Sequence, residues 1–256
     1  MSGKKLAKLS WAEVKDYLKK NNSVIIPVGS IEQHGEHLPL GTDTMISEEI
    51  ALSVSAATGI LVSPSVSCGW SPHHMVLPGT ITIRPEVLID YLYDIIFSLS
   101  EHGFENFLLI NGHRIVNISW MQIAAERAKR QLGVRVAIAD PAWLSKEFST
   151  RQELESVGHA DEIETSHMLF IKPDLVNLSK AKDNKPASIA CDVPDPRWEG
   201  DVLCYVPKTV AEMKESALKG GGTTGTPSRS TAEVGSAYHE WVVEKLVKYL
   251  KQLQYF

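Results

Sequence analysis

The chain has 256 residues, of which 43% are hydrophobic and 22% charged, and its formal net charge at pH 7 is −5. This composition predicts one globular domain, residues 1–256, with a sizeable core. The sequence contains no cluster of Lys and Arg and no apolar run of ~18 residues, so we expect neither a nucleic-acid partner nor a membrane span. It begins without the apolar segment of a signal peptide, and its three cysteines form no C-x-x-C motif, so we expect a reducing, cytoplasmic location.

The first part of the chain alternates helix and strand patterns. Ser10 and Glu13 form a capping box that predicts a helix to about residue 20, and the apolar run 24–28 predicts a buried strand. Residues 44–57 have the apolar spacing of a helix, and residues 60–66 have the pattern of a second strand.

The same alternation continues to residue 139. Pro85 opens a predicted helix that ends near Gly103, and the apolar run 106–110 predicts a third strand. A helix to about residue 132 and a strand at 134–139 follow. This order predicts an α/β fold in which helices cover both faces of a mostly parallel central sheet.

After residue 148 the pattern changes. Segment 158–167 should enter a helix that runs to about residue 171, and a surface excursion is predicted over residues 180–207. A Gly- and Thr-rich loop at 220–227 precedes a terminal amphipathic helix from Ser230 to about residue 253. The sequence shows no internal repeat and no clear interdomain linker.

A loop rich in carboxylate and imidazole groups follows the first strand. Its candidate ligands are Glu32, His34, Glu36, His37 and Asp43. Such a loop at the carboxyl end of a strand is a typical place for chemistry in an α/β protein. The alternative is a solvated polar turn, but the apolar residues 38–40 indicate that the loop packs inward.

Further histidines follow in other segments. His113 comes directly after the third strand, so its loop should share a sheet edge with the loop after the first strand. His159 and Glu164 would approach the same point from a helix start. Residues 73–74 are paired histidines in a loop rich in Pro and Gly, and we interpret His167 as a helix-surface or supporting histidine.

These residue types suit a divalent metal ion. Zn, Mn and Fe accept imidazole and carboxylate ligands. A bound ion lowers the pKa of its water toward ~7 and polarises a carbonyl group, and a nearby His or Glu moves protons. Asp43 is separate in the sequence from the Glu32-x-His34 pair. Together these three residues supply the kinds of ligand that two bridged ions need.

Five segments stand out in order along the chain. They are G-S-I-E-Q-H-G-E-H-L-P-L-G-T-D (29–43), L-P-G-T-I-T (77–82), N-G-H-R-I-V-N (111–117), G-H-A-D-E-I-E-T-S (158–166) and G-T-P-S-R-S-T-A-E-V-G (225–235). Together they resemble the creatininase, or creatinine amidohydrolase, family over almost the whole chain. The resemblance implies a three-layer αβα sandwich, usually a hexamer, with a two-metal hydrolytic centre and a small-molecule substrate.

The resemblance also implies a role for individual side chains. The metal ligands it implies are Glu32, His34, Asp43 and His113, with Asp43 in the bridging position. Glu164 could ligate a metal or orient the water, and His159 is the catalytic histidine that moves protons. Ser71 and His74 lie in a loop that resembles a substrate-facing segment, although loop packing and capping would explain them equally well.

The chain departs from the family pattern at three positions. The family commonly reads N-G-H-G-G-N, and creatininase carries a metal-binding Glu two residues after the histidine, where this chain has Ile115. A second ion must therefore take another ligand, such as Glu164, or bind weakly. The expected number of bound ions is thus one or two per subunit. Arg114 adds a positive charge that favours a substrate with a carboxylate or several hydroxyls over creatinine. Glu36 stands where Pro is usual.

Three functions are compatible with this pattern. The first is metal-dependent hydrolysis of a small cyclic amide or another C–N substrate. A variant of it is ring opening of an oxidised cyclic polyol, such as a diketo-inositol of the 3-dehydro-scyllo-inosose type. The second is a non-catalytic protein that binds a metal or metabolite, which the Ile115 departure suggests, and the third is a purely structural oligomer.

Overall fold

A computed structural model describes residues 3–155, 157–184 and 209–252. The strands are β1 (Ser23–Val28), β2 (Leu61–Val62), β3 (Asn106–Asn111) and β4 (Arg135–Ala139). The helices are α1 (Trp11–Leu18), α2 (Thr42–Thr58), α3 (Pro85–Glu101), α4 (Ile118–Leu132), α5 (Pro141–Leu144), α6 (Lys146–Arg151), α7 (Glu162–Ile171), α8 (Val210–Gly220) and α9 (Ala232–Gln252). The predicted capping box at Ser10 and Glu13 is present at the start of α1.

The four strands form one parallel sheet in the order β2-β1-β3-β4. Every residue of β1 and β3 is buried, as expected for parallel strands covered on both faces. Side chains alternate along them: Ile25 and Leu108 enter one apolar cluster, whereas Ile26 and Leu109 enter the other. The predicted mostly parallel α/β sheet is therefore confirmed.

The two apolar clusters make the fold a three-layer αβα sandwich. On one face, α2, α7 and α9 bury side chains such as Ile50, Met168 and Val242 against the sheet. On the other face, α3 and α4 bury Leu92 and Trp120. Among the described residues, no helix combines the length and apolarity that crossing a bilayer requires.

The second strand is shorter than its sequence predicts. The apolar pattern extends over residues 60–66, but regular pairing covers only Leu61–Val62. Ser63 still donates to the carbonyl of Ile25 over 2.9 Å, but the next donor to β1 is Val66, which donates to Pro27 over 2.9 Å, so the regular ladder breaks at residues 64–65. Pairing resumes as a single bridge between Val66 and Val28. The predicted excursion at 180–207 lies outside the described residues from position 185 onward.

The register of the sheet brings two loops together. Val28, the last residue of β1, is paired with Asn111, the last residue of β3. The N–H of Gly112 donates to the carbonyl of Val28 over 2.7 Å. The chain therefore leaves the sheet at adjacent points before the two loops that carry most of the candidate ligands.

A buried pair of histidines joins the helices on one face of the sheet. His167 Nε2 lies 2.9 Å from His239 Nδ1, and His239 Nε2 lies 2.9 Å from Ser53 Oγ. His167 is only 1% exposed, so of its two interpretations the helix-surface one was wrong and the supporting one stays a prediction. Burial lowers the pKa of both histidines, which keeps them neutral in the folded protein.

These depressed pKa values predict an acid-sensitive fold. Below the pKa of ~6.5 of an unfolded histidine, the unfolded chain takes up protons that the folded state refuses, so stability is lost as the pH falls. Each histidine removes up to about 1.4 kcal/mol of unfolding free energy per pH unit in that window. Urea unfolding at about pH 7.5 and about pH 5.5 measures the loss. The loss should be smaller in His239→Gln, and an equal loss in both proteins would contradict this prediction.

Candidate metal centre

The first group of candidate ligands is buried where the loops after β1 and β3 meet. It contains Glu32, Asp43 and His113, which are 0%, 1% and 4% exposed. His113 Nε2 lies 3.2 Å from Glu32 Oε2, and His113 Nδ1 lies 3.2 Å from Asp43 Oδ2. Glu32 Oε1, Glu32 Oε2 and Asp43 Oδ2 accept no hydrogen bond of good geometry from any described residue. Buried carboxylate oxygens without a donor are costly, so these three oxygens are suited to hold a cation.

His34 extends this group toward a second carboxylate. Its Nδ1 lies 3.0 Å from the backbone carbonyl of Glu32, so in the neutral ring the proton is on Nδ1. Its Nε2 lone pair then lies 3.1 Å from Asp43 Oδ1 and 3.7 Å from Glu164 Oε2. A backbone carbonyl that fixes one imidazole nitrogen and directs the other toward an ion is typical of metal-binding histidines.

His159 is held by a backbone carbonyl in the same way. Its Nε2–H donates to the carbonyl of Gln33 over 2.5 Å, which leaves the basic lone pair on Nδ1. That nitrogen lies 3.5 Å from Glu32 Oε1. The ring stacks on His74 with centroids 3.8 Å apart, and burial lowers its pKa well below the ordinary value. His159 is therefore a neutral base beside the first group.

The Gln33 side chain sets the tautomer of His74. The amide oxygen accepts from the N–H of Gly35 over 3.1 Å, and the amide nitrogen donates to the carbonyl of Gly222 over 3.0 Å. This orientation leaves an amide N–H to donate to His74 Nδ1 over 2.9 Å. A neutral His74 consequently carries its proton on Nε2, which lies 3.5 Å from Glu32 Oε1.

The electrostatics of the centre suit a cation. Burial raises the pKa of Glu32 to about 7. Burial alone would lower the pKa of His34 and His113, but the adjacent carboxylates outweigh it and raise these values to about 10 and about 9. Protons on the imidazoles thus supply positive charge that the carboxylates need. The residues fit a divalent metal, because imidazole nitrogen and carboxylate oxygen are the ligands of Zn, Mn and Fe.

The donor atoms form three overlapping groups, each with its atoms within 4.8 Å of one another. These are Glu32/Asp43/His113, His34/His159/Glu164 and Glu32/His74/His159. The structure therefore brings together Glu32, His34, Asp43, His113 and Glu164, although Glu32 and Glu164 are more than a hundred residues apart in the chain. The other two candidates of the first loop lie outside these groups: Glu36 is exposed, and His37 Nε2 is 2.9 Å from Thr165 Oγ1. Their individual roles stay predictions.

Arg114 lies beside the second of these groups. Its guanidinium is 2.8 Å from Asp161 Oδ2 and 2.8 Å from Glu164 Oε1, and the residue is 8% exposed. Its charge is thus shared with two carboxylates of this chain, which weakens the argument for an acidic substrate. Arg114 Nη1 is buried without a partner among the described residues, so the predicted substrate contact stays a prediction.

Ile115 occupies a backbone conformation that suits glycine. Its φ is +69°, in the left-handed region that β-branched residues rarely enter. Asp140, at the end of β4, holds this turn by accepting from the N–H of Ile115 over 2.7 Å and from Asn111 Nδ2 over 2.9 Å. The geometry explains why glycine is usual at this position in N-G-H-G-G-N.

Replacing Ile115 by glycine should therefore stabilise the protein. The left-handed conformation costs a branched residue at least ~1–2 kcal/mol, and glycine avoids this cost. Glycine also makes the unfolded chain more flexible, which lowers the free energy of unfolding by ~0.5–1 kcal/mol. We expect the free energy of unfolding to rise by about 0.5–1 kcal/mol in urea titrations. A decrease in Ile115→Gly would show that packing of the isoleucine side chain outweighs the backbone strain.

The remaining residue with a predicted role, Ser71, lies beside His113. Ser71 is 0% exposed, and its Oγ lies 2.6 Å from Ser30 Oγ and 3.4 Å from His113 Nε2. Its substrate contact stays a prediction. Glu36 forms an exposed ion pair with Lys182.

Sequence reasoning missed three supporting residues: Gln33, Asp140 and Asp161. Two of them lie inside quoted segments and one directly follows a strand. A polar residue adjoining a candidate ligand was the available signal, but their partners could not be read from the sequence.

The comparisons with known proteins agree with this geometry. A family sequence profile described as "Creatininase: Creatinine amidohydrolase" matches residues 7–250. A 3-dehydro-scyllo-inosose hydrolase of Thermotoga maritima is 32% identical over 186 residues, which are 70% of this chain but only 59% of that protein's length. A creatinine amidohydrolase of Pseudomonas putida is 27% identical over 202 residues, covering 72% of this chain and 77% of that one.

The fold comparison points the same way. A crystal structure of creatinine amidohydrolase (creatininase) superposes with a TM-score of 0.81 at 24% identity, covering 98% of this chain and 97% of the other. Both relatives are named as hydrolases, so the alternatives of a non-catalytic or purely structural protein lose their support. The sequence profile, which spans nearly the whole chain, shows that the protein belongs to the creatininase family of hydrolases.

Proposed function

We propose that the protein is a metal-dependent hydrolase that hydrolyses a small cyclic amide or another C–N substrate. One observation carries the proposal: the buried, unpaired oxygens of Glu32 and Asp43 converge with His113. These three oxygens accept no hydrogen bond of good geometry from a described residue, and carboxylate and imidazole groups that converge in a buried site are suitable ligands for a divalent ion.

The ligand atoms of these residues limit the site to metals that accept carboxylate oxygen and imidazole nitrogen. Glu32, Asp43 and His113 would hold one ion, and Asp43 would bridge toward His34 because its two oxygens face different imidazoles. When bound, the ion supplies water of lowered pKa and polarises a carbonyl group. Zn, Mn and Fe all suit these ligands, and solved creatininase structures of this fold include a Zn–Zn form and an Mn form.

His159 is the residue proposed to move protons. Its Nδ1 accepts the proton that the attacking water loses and returns it to the leaving nitrogen, because its Nε2–H is committed to the Gln33 carbonyl. The tilted ring of His34 and the stacked ring of His74, with centroids 4.4 and 3.8 Å away, fix its orientation. Glu164 would ligate an ion or orient the water, as the family resemblance implies.

Three residues are proposed to contact the substrate. His74 offers an Nε2–H beside the Glu32 carboxylate, and Arg114 offers its unpaired Nη1. Ser71 lies between Ser30 and His113, where its hydroxyl can accept or donate. A substrate with carbonyl and hydroxyl oxygens would match these donors.

A second candidate is ring opening of an oxidised cyclic polyol, with cleavage of a C–C bond beside a carbonyl group. The 32% identity to a 3-dehydro-scyllo-inosose hydrolase favours it. The same metal centre and the same base serve both reactions, since each begins with water adding to a carbonyl carbon.

A substrate panel tests the proposal. The purified protein is assayed for metal content and then for turnover of lactams, formamides and cyclic diketones. We expect bound divalent metal and turnover in one class, which decides between C–N and C–C cleavage. A metal-loaded protein that turns over none of them would overturn the proposal.

Two matched variants connect activity to the site. His159→Gln should lower kcat by ~10²–10⁴-fold with metal content unchanged, because it removes the base and no ligand of the first group. His102→Gln makes the same change at an exposed position at the end of α3 and should leave kcat unaltered. Equal activity of His159→Gln and His102→Gln would remove His159 from the mechanism.

The family resemblance also supports a homo-oligomer, proposed here as a hexamer, and the absence of a C-x-x-C motif among the three cysteines supports a cytoplasmic location. Exposed large apolar side chains are available for subunit contacts on α3 and α4: Val87, Tyr91, Phe97 and Ile123. Light scattering on the purified protein should give six times the mass of a single chain. A monomer would contradict the hexamer without affecting the proposed chemistry.

A further inference from the structure

The two groups of candidate metal ligands differ in whether their carboxylate oxygens already accept hydrogen bonds. In the group Glu32/Asp43/His113, three carboxylate oxygens have no hydrogen bond of good geometry from a described residue. In the group His34/His159/Glu164, both oxygens of the single carboxylate are occupied. Glu164 Oε1 accepts from Arg114 Nε over 3.0 Å, and Glu164 Oε2 accepts from the N–H of Ala160 over 2.7 Å.

Arg114 cannot turn away to release Glu164. Its Nη2 donates to Asp161 Oδ2 over 2.8 Å and to the carbonyl of Gly158 over 3.3 Å, and the residue is 92% buried. Asp161 is itself fixed as the N-cap of α7, where it accepts from the N–H of Glu164. The planar guanidinium is therefore held rigidly against one side of the second group.

The next residue supplies no oxygen ligand. Ile115 follows Arg114 and has only a hydrocarbon side chain, so among the described residues Glu164 is the one carboxylate of the second group that is not shared with the first, and Asp43 reaches His34 only with its Oδ1. An ion bound to Glu164 would lie within a few ångströms of a guanidinium that shares the same carboxylate. Like charges at that distance repel strongly in a buried site.

We propose that Arg114 takes the place of a second cation, so that the centre binds one divalent ion tightly and a second at least ~100-fold more weakly. The tight ion would be held by Glu32, Asp43 and His113, because both oxygens of Glu32 and Oδ2 of Asp43 accept no hydrogen bond of good geometry from a described residue. The weak ion would use His34, His159 and Glu164. This inference rests on the proposed metal-dependent function, but it concerns only how many ions bind.

Metal titration tests the inference without any substrate. The metal-free full chain is titrated with Mn²⁺ and with Zn²⁺ by calorimetry, and metal retained after dialysis is counted by mass spectrometry. We expect one retained equivalent and a second binding event at least ~100-fold weaker. Arg114→Gln, which removes the charge but keeps an amide donor for Glu164, should tighten the second event by ~10-fold or more.

Two further variants keep the test interpretable. Arg127→Gln makes the same change in an exposed ion pair with Asp90 on the surface and should leave both binding events unchanged. Glu164→Gln keeps an oxygen for Arg114 but removes the negative charge. It should abolish the weak event and leave the tight one intact, so this variant tests the assignment even if Arg114→Gln does not fold.

The contrary outcomes are distinct. Two retained equivalents of similar affinity in the unaltered protein would overturn the inference and leave the proposed function standing. Loss of the tight ion in Glu164→Gln would overturn the division into two groups. Failure of the unaltered protein to bind either metal would overturn the proposed function itself.

Discussion

Asp43→Asn should lose the retained metal ion and with it at least ~10³-fold in kcat/KM on the substrate identified by the panel. The carboxylate lies at the centre of the donor set, with Oδ1 3.1 Å from His34 and Oδ2 3.2 Å from His113. An asparagine presents one neutral oxygen and an NH₂ group, so it supplies neither the charge nor the second donor atom. Mass spectrometry of the dialysed protein measures the ion, and initial rates measure the activity.

The control for this substitution is Asp174→Asn. Asp174 is exposed just after α7, so the same chemical change there should leave metal content and activity unaltered. Circular dichroism should show folded protein for both variants, which separates loss of the ion from loss of structure. Full retention of metal in folded Asp43→Asn would refute the placement of the ion at this carboxylate.

Gly112→Ala should lower the free energy of unfolding by about 3 kcal/mol or more. A Cβ atom at this position would lie 2.0 Å from the backbone oxygen of Asp43 and 3.1 Å from Ser47 Cβ. The clashing atom belongs to the backbone at the start of α2, which cannot move aside as a flexible side chain could. Relief of the clash must move β3 and α2 apart, so the ion bound between Asp43 and His113 should weaken as well.

Gly41→Ala provides the matched comparison. Gly41 also adjoins the start of α2, but its Cβ would meet only Met45 Cε at 3.4 Å and Ile31 Cδ1 at 3.7 Å. Its φ of −90° is accessible to alanine, so the cost should stay near ~1 kcal/mol, the usual loss at an N-cap. Urea titration measures both variants. Equal stability of the two would mean that the close approach of β3 to α2 is not needed.

The order of secondary structure was predictable because it depends on local patterns. Apolar runs that end close to a glycine predicted β1 and β3, and the 3.6-residue period predicted α2 to α4. The exception was β2, where the predicted strand extends to residue 66 but regular pairing covers only Leu61–Val62. Hydrophobicity alone does not distinguish a paired strand from an apolar extended segment.

The meeting of the two ligand loops was also predictable, and for a topological reason. Parallel strands place their carboxyl ends at one edge of the sheet, so a loop that follows β1 and a loop that follows β3 must be neighbours if the strands are. The register of Val28 with Asn111 is the detail that the sequence left open.

Hydrogen-bond partners across the site were decided only by the tertiary structure. The sequence presents Arg114 as a free positive charge, whereas packing places α7 against it and pairs it with Asp161 and Glu164. Likewise, the tautomers of His74 and His159 depend on the amide and the carbonyl of Gln33.

The sequence by itself therefore determined the family, the α/β order and the candidate ligands, since these depend on residue type, spacing and short periodicity. The tertiary structure alone decided which buried charges are paired, which imidazole nitrogen carries the proton, and that Ile115 adopts a left-handed turn. The physical reason is that a buried polar group must find its partner among groups that packing brings within about 3 Å, wherever they lie along the chain.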